Sequence, residues 1–408
     1  MYDLINKPNR NSGSLIYLDN AATSFPKPDR VIDEIARCMR QYCANPGRSS
    51  HTIAVRTNNM VMEVREKISD FFNVGSPSRV CFTKNATEAL NIAIRGVLEP
   101  GDHVVITSLE HNSVLRPLNT LKRDIGIDIS IAWGNKFGEI TPECIKNIIK
   151  PKTRLVAVTL SSNVNGTILP VKEIGEVVNN TDAFYLVDAS QGAGTIPLDM
   201  EKMNIDMLAF PGHKGLLGPQ GTGALCIRKN IRLKPLMQGG TGSNSKYLLQ
   251  PDMMPDILES GTLNTPGIVG LGYGLDFINT FGIDNIKLYK DMLLERLYNA
   301  LIEIKGVSIY SKLDNNSGIV ALNIDGLDST ETGYILSNEY GIATRAGFHC
   351  SPLAHETIGT IKNGVVRLSL GCFNTIEDVD AVATAIKEIA ARAGQGLFVH
   401  QQKVHPKS

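Results

Sequence analysis

Ile205-Asp206-Met207-Leu208-Ala209-Phe210, followed at once by Pro211-Gly212-His213-Lys214-Gly215, is an apolar run that stops in a Gly/Pro-bounded turn carrying one lysine. The run is short enough for a buried strand. A lysine just past its end is a candidate for Schiff-base chemistry with a carbonyl. A second run, Phe184-Tyr185-Leu186-Val187, ends in Asp188. A strand-end carboxylate is what a protonated pyridine nitrogen needs as its partner, so the two residues together point to pyridoxal phosphate. Alone, Asp188 is a turn aspartate.

Similar short runs lie on either side, at 80–82, 104–106, 127–131, 155–160 and 224–227. Segments 86–98, 113–123 and 142–149 carry helical spacing between them. Upstream, Val61, Val64, Ile68 and Phe71 recur at three and four residues, the stripe of an amphipathic helix. This alternation predicts an α/β fold with a mixed, mostly parallel seven-stranded sheet. Asn264-Thr265-Pro266-Gly267 breaks the pattern. A helix over 288–304 then opens a smaller α+β domain, whose last helix carries Val379, Val382, Ile386 and Ile389 on one face behind a Thr375 N-cap. The expected division is an N-terminal segment 1–25, a large domain 26–265, a small domain 266–395 and a tail 396–408.

Lysine plus arginine equals aspartate plus glutamate, 41 each in 408 residues, which gives no general attraction for nucleic acid or anionic membranes. No apolar run approaches the roughly 20 residues that span a bilayer, and residues 1–10 are polar, so cytoplasm is the expected compartment. The seven cysteines are an odd number without CxxC pairs, which argues against a disulfide framework and against a zinc site. Cys81 and Cys226 lie in strand-like runs, where a buried, protonated thiol is expected. Cys350 differs. In Arg345-Ala346-Gly347-Phe348-His349-Cys350-Ser351-Pro352 it sits in a loop beside a histidine and near an arginine.

Other polar residues gather at the same strand ends. Asn85-Ala86-Thr87-Glu88 follows a strand and opens a helix, so backbone N–H groups and the Thr87 hydroxyl could receive a phosphate; a plain capping box, Asn85 with Glu88, is the alternative. Gln191 and Asn163 are neutral donors for a ring phenolic oxygen, or turn residues. His111 follows the strand at 104–107, where it could stack on the ring or serve structure alone.

The chain resembles the class V aminotransferase superfamily of pyridoxal-phosphate fold type I, and within it the cysteine desulfurases of the NifS/SufS kind, over nearly its whole length. Tyr17-Leu18-Asp19-Asn20-Ala21-Ala22-Thr23 resembles the family's opening, Gly212-His213-Lys214 its lysine motif, Glu259-Ser260-Gly261-Thr262-Leu263-Asn264-Thr265 its strand-end motif, and Arg345 to Cys350 its nucleophile loop. The resemblance implies that Lys214 holds the cofactor and moves protons, and that His111 stacks and assists protonation. His213, Thr87 and, from a second subunit, Thr262 would bind the phosphate. Arg367 would grip the substrate carboxylate bidentately, with Arg48 and His51 also facing the site. Cys350 would take sulfur from L-cysteine as a persulfide and release alanine, its thiolate favoured by His349 and Arg345.

Only sixteen residues separate Cys350 from Arg367, which is similar to the group II pattern and implies an acceptor protein. A homodimer, and L-selenocysteine as an alternative substrate, follow from the same resemblance; the pathways open to it include iron–sulfur cluster assembly. Transamination or β-elimination of another amino acid, and a non-catalytic sulfur-relay scaffold, are the competing readings. Two departures stand out. Pro211 replaces a phosphate-binding serine or threonine, and the loop continues Ser351-Pro352-Leu353 rather than with the usual segment.

Overall fold

Side chains along the central strands alternate between two apolar cores. Val104, Leu155 and Met207 belong to one, Val105, Val156 and Leu208 to the other. A strand buried on both faces needs apolar residues at consecutive positions, which is why these strands appear in the sequence as unbroken hydrophobic runs. The structure is a computed structural model that describes residues 15–46, 51–228 and 231–397.

In chain order the elements are β1 (Ile16–Tyr17), α1 (Asp29–Gln41), α2 (Thr52–Phe72), β2 (Val80–Thr83), α3 (Ala86–Val97), β3 (His103–Thr107), α4 (Asn112–Ile125), β4 (Asp128–Ala132), α5 (Pro142–Lys146), β5 (Thr153–Thr159), α6 (Val171–Val178), β6 (Phe184–Asp188), β7 (Met207–Pro211) and β8 (Gly223–Ile227). There follow α7 (Thr265–Phe281), α8 (Ile283–Ile302), β9 (Val307–Ile309), β10 (Ile319–Ile324), α9 (Ser329–Tyr340), β11 (Ile342–Ala343), β12 (Arg345–Gly347), α10 (Pro352–Thr357), β13 (Val365–Ser369) and α11 (Ile376–Gly394).

The large sheet has the order β2-β8-β7-β6-β5-β3-β4, with β8 antiparallel to both neighbours and the other pairs parallel. All seven expected strands are present. Phe72 at the end of α2 lies 4.8 Å from Phe210 of β7, centroid to centroid, and fixes that helix on the sheet; loss of such a ring costs about 3–5 kcal/mol. A four-stranded antiparallel sheet, β12-β13-β10-β9, forms the smaller unit with α8, α9 and α11.

Three boundaries differ from expectation. Asn264-Thr265-Pro266-Gly267 does not break structure but opens α7: the Asn264 side chain accepts from Gly267 N, and proline at a first-turn position has no N–H to lose. The helix packs on α1 and α2, so a division after residue 265 falls one residue inside an element of the large unit. The helix expected over 288–304 begins at Ile283, directly after Gly282. Thr375 does cap α11, in a full capping box with Asp378. Among the described residues no helix is long and apolar enough to cross a membrane.

Residues 17–27 tie the two units together. Ala21 N donates to Ser369 Oγ at 2.9 Å and Asn20 Nδ2 to Asn374 Oδ1 at 3.2 Å on the small side. Ser24 N and Lys27 Nζ donate to the His213 carbonyl at 3.0 and 2.8 Å on the large side.

Candidate active site

The parallel strands deliver their C-terminal ends to one cleft, where open α/β sheets collect ligands. Past Thr83 the chain enters α3, past Thr107 it reaches His111, past Thr159 it reaches Asn163, β6 ends at Asp188 and β7 turns into Lys214. These residues, with Ala86, Thr87, Ser113, Ser190, Gln191 and His213, line one cavity of about 480 Å³ open space. Two helix N-termini face it. Asn85 caps α3 by accepting from Glu88 N, whereas Glu88 returns to Lys84 N, so the expected capping box is only half formed. The Thr87 and Ser113 hydroxyls stand 2.8 Å apart at the starts of α3 and α4.

The lysine turn is held by main-chain geometry. Gly218 N donates to Gly212 O at 2.8 Å and Leu217 N to Lys214 O at 2.9 Å. Its two glycines are required by proximity: a Cβ on Gly212 would lie 2.2 Å from Thr222 Oγ1, and one on Gly215 would lie 2.4 Å from Ala193 O. The Lys214 side chain faces the cavity and is half-buried. Burial brings its pKa down to about 8; Asp188 opposes this, while Arg367 and Arg345 reinforce it. A free amine is thereby available near neutral pH, as carbonyl capture requires.

Asp188 is 3% exposed and its Oδ1 accepts from Ser190 N at 2.9 Å. Burial, and to a lesser extent the Asp188 charge, raises the pKa of Glu110 to about 8 against its hydrogen bonds from Thr107 and Thr159, so Glu110 holds a proton at neutral pH while its Oε2 has no partner. His111 caps α4: its Nδ1 accepts from Ser113 N at 3.0 Å, which puts the ring proton on Nε2. Burial lowers its pKa, so the imidazole is neutral. His213 is pushed down to about 4 by burial and then by Lys214 and Lys27, and its Nδ1 is buried without a partner.

On the small unit, Arg367 of β13 is 2% exposed. It donates from NH1 to the Asn163 carbonyl at 2.9 Å and from NH2 to Asp19 Oδ1 at 2.6 Å, and its Nε has no partner. Its expected role as a carboxylate grip therefore requires that it share or leave Asp19. Cys350 is exposed, in a turn whose central residues both have positive φ, His349 at 47° and Cys350 at 59°. Ser351 N closes the turn on Phe348 O at 3.1 Å. Two left-handed residues closed this way are the mark of a type I′ turn, which favours glycine and asparagine; each costs about 1–2 kcal/mol for an ordinary side chain. The Cys350 carbonyl accepts from Asn112 N, the first residue of α4, at 2.8 Å.

His349 cannot serve as a cation for the thiol. It is 5% exposed, with its Nε2 at 3.1 Å from the Val365 carbonyl. Burial, then Arg367, hold its pKa at about 3. Of the two expected helpers only Arg345 carries charge. Cys81 and Cys226 are fully buried with pKa values raised by burial, as expected of inert core thiols.

The cavity thus gathers Ala86, Thr87, His111, Asn163, Asp188, Gln191, His213 and Lys214, with Pro211, which offers no donor, in its wall. Gln191 Nε2 donates to Ala21 O at 2.9 Å. Asn163 uses both side-chain atoms on the cysteine turn, so any cofactor oxygen must compete for them. Arg367 and the Cys350 turn reach this cavity only through Asn163, and two further residues are not brought in. His51 caps α2 by accepting from Ala54 N, and exposed Thr262 lines a separate cleft with Lys84 and Glu88. Arg48 lies outside the described residues. Asp19, Glu110, Ser113, Ser190 and Ser351 carry no expected role in the sequence, although the Tyr17–Thr23 motif contains Asp19 and the cysteine loop contains Ser351.

These residues suit pyridoxal phosphate: helix N-termini for a phosphate, a buried unpartnered His213 Nδ1, a buried carboxylate and a lysine poised to lose its proton. Among the described residues no cluster of three or more His, Cys, Asp and Glu side chains could hold a metal ion. Fold and site together define a fold type I pyridoxal-phosphate enzyme. Residues 16–382 match the model of the aminotransferase class-V family, and the chain belongs to that family. It is 37% identical over 388 residues to a probable cysteine desulfurase of Methanothermobacter thermautotrophicus, covering 92% of this chain and 94% of the relative. It is 31% identical over 386 residues to a cysteine desulfurase of Haloferax volcanii, covering 91% and 88%. The apo cysteine desulfurase of Thermococcus onnurineus superposes with a TM-score of 0.86 at 31% identity, covering 92% of this chain and 95% of that one. A cysteine desulfurase of Escherichia coli superposes at 0.85 and 26% identity, covering 98% and 99%.

Proposed function

We propose that this chain is a pyridoxal-phosphate-dependent cysteine desulfurase that converts L-cysteine to L-alanine and passes the sulfur, held on Cys350 as a persulfide, to an acceptor. The observation that carries the reading is Asn163: it stands in the cavity wall with Lys214 and bonds the residues on both sides of Cys350, joining cofactor pocket and thiol turn in one site.

When bound, pyridoxal phosphate supplies an electron sink for negative charge at the substrate α-carbon. The helix starts at Ala86 and Thr87, with His213, would receive the phosphate, and Asp188 would pair with the ring nitrogen. Lys214, an amine that gains and loses its proton near pH 8, moves protons at the α-carbon. His111, neutral with its proton on Nε2, would cover the ring and offer that proton as a donor. Arg367 meets the substrate carboxylate by sharing its guanidinium with Asp19. The Cys350 thiolate attacks the substrate Sγ; an S–S bond forms, the C–S bond breaks, and its electron pair stays with carbon, which takes a proton and leaves as alanine. An acceptor thiolate then takes the outer sulfur.

The assembly in this reading is a homodimer. Thr262 lines a cleft other than the cofactor cavity, and Tyr247, Leu248 and Leu249 are exposed, as residues meeting a second copy would be. The test is alanine and sulfide release from L-cysteine with a reductant, on loaded wild type and Cys350→Ala. Products from wild type alone support the reading; alanine from Cys350→Ala at the wild-type rate, or from neither protein, overturns it.

A further inference from the structure

The turn that presents the thiol is made of residues that disfavour it. Neither His349 nor Cys350 is a glycine or asparagine, yet both have left-handed φ, and such a conformation persists only where the surroundings over-determine it. The surroundings here are few and specific. Asn163 Nδ2 donates to the His349 carbonyl at 2.6 Å, and Ser351 Oγ donates to Asn163 Oδ1 at 2.7 Å. One amide therefore grips the chain immediately before and immediately after Cys350. The residue so gripped is exposed, whereas Ser351 has no exposed surface and Asn163 is nine-tenths buried. Asn112 N holds the Cys350 carbonyl from the α4 side.

The same asparagine presents its main-chain carbonyl to Arg367, so turn and arginine are fixed to a single loop after β5. Removing the Ser351 hydroxyl would leave Asn163 Oδ1 buried without its donor and free the amide to turn away from His349. On the downstream side only main-chain bonds, chiefly Ser351 N to Phe348 O, would then oppose the pull of the strained dihedrals.

We propose that Ser351 is a positioning residue for sulfur transfer: through Asn163 it holds Cys350 in its left-handed turn beside the cavity wall. This rests on the desulfurase reading. Ser351 touches no reacting atom; its effect is on where Sγ stands, and a misplacement of about 1 Å can cost on the order of a hundredfold in rate.

The test uses loaded enzyme and Ser351→Ala, with hydrogen exchange of the 348–351 amides, alkylation of Cys350 by iodoacetamide, and alanine release measured side by side. Expected are exchange faster by about tenfold or more in the turn alone, as for a local opening, and kcat lower by about ten- to a hundredfold. KM and the alkylation rate should stay within about twofold, since thiol and binding groups are intact. Asn163→Ala, which removes both bonds, should open the turn at least as far and serves if Ser351→Ala folds poorly. Unchanged turn exchange and kcat in Ser351→Ala overturns the proposal, as does an exchange increase spread over the whole molecule. Wild type that releases no alanine would end the desulfurase reading instead, while the exchange measurement, which needs no turnover, would still decide whether the clamp exists.

Discussion

The lysine turn and the cysteine turn do similar work by opposite means. Each places a reactive side chain at a sharp bend after a strand. The first is made of glycines and folds on itself through short-range main-chain bonds, Gly218 N to Gly212 O and Leu217 N to Lys214 O, with Ser24 and Lys27 reaching its carbonyls from outside. The second sets ordinary side chains in a strained conformation and relies on side chains distant in sequence: Ser351 and Asn163 are 188 positions apart. The difference teaches where mutation can separate chemistry from geometry. At Lys214 the reactive group can be removed without disturbing its frame; at Cys350 the frame can be loosened without touching the thiol.

Lys214→Ala should break function hardest, lowering alanine release by about 10²–10⁴-fold, the range of a lost general acid–base, with the thermal midpoint near wild type. A large fall in that midpoint would show that the frame depends on the lysine and would erase the contrast. Gly212→Ala should do the reverse by driving a methyl against Thr222, costing about 1–3 kcal/mol in urea unfolding. Gly347→Ala, with nothing within 4 Å but φ at 102°, should lose about 1–2 kcal/mol from the backbone alone.

The pH prediction sharpens the lysine side. The Lys214 amine is protonated up to 10.5 when unfolded but only to about 8 when folded. Between these values the unfolded chain binds more protons, so the folded state gains stability as pH rises through that window. Its free fraction rises about tenfold per unit below pH 8, and cofactor uptake by apoprotein, followed by absorbance, should rise with it. The smallest effect belongs to the cysteine side. With His349 neutral down to about pH 3, His349→Asn should leave the pH profile of Cys350 alkylation between pH 5 and 8 where it is; a shift there would restore the imidazole as an electrostatic helper.

The seven strands were legible because two buried faces impose long apolar runs, and Lys214 and Asp188 because each follows such a run directly. What escaped lies in pairings that no local pattern carries. Arg367 finds Asp19 across 348 positions, and Ser351 looks like a loop residue until Asn163 is seen beside it. The start of α7 was misread because Pro266, a breaker inside a helix, is an ordinary opener of one. His349 was taken for a charged neighbour of the thiol because adjacency in sequence says nothing of burial.

The segment of residues 17–27 that joins the two units has a consequence for how the chain is made. It leaves the ribosome early, yet its partners at His213, Ser369 and Asn374 are synthesised much later. Its bonds to both units can be completed only once those partners exist, and contacts closed over such long separations are slow to form.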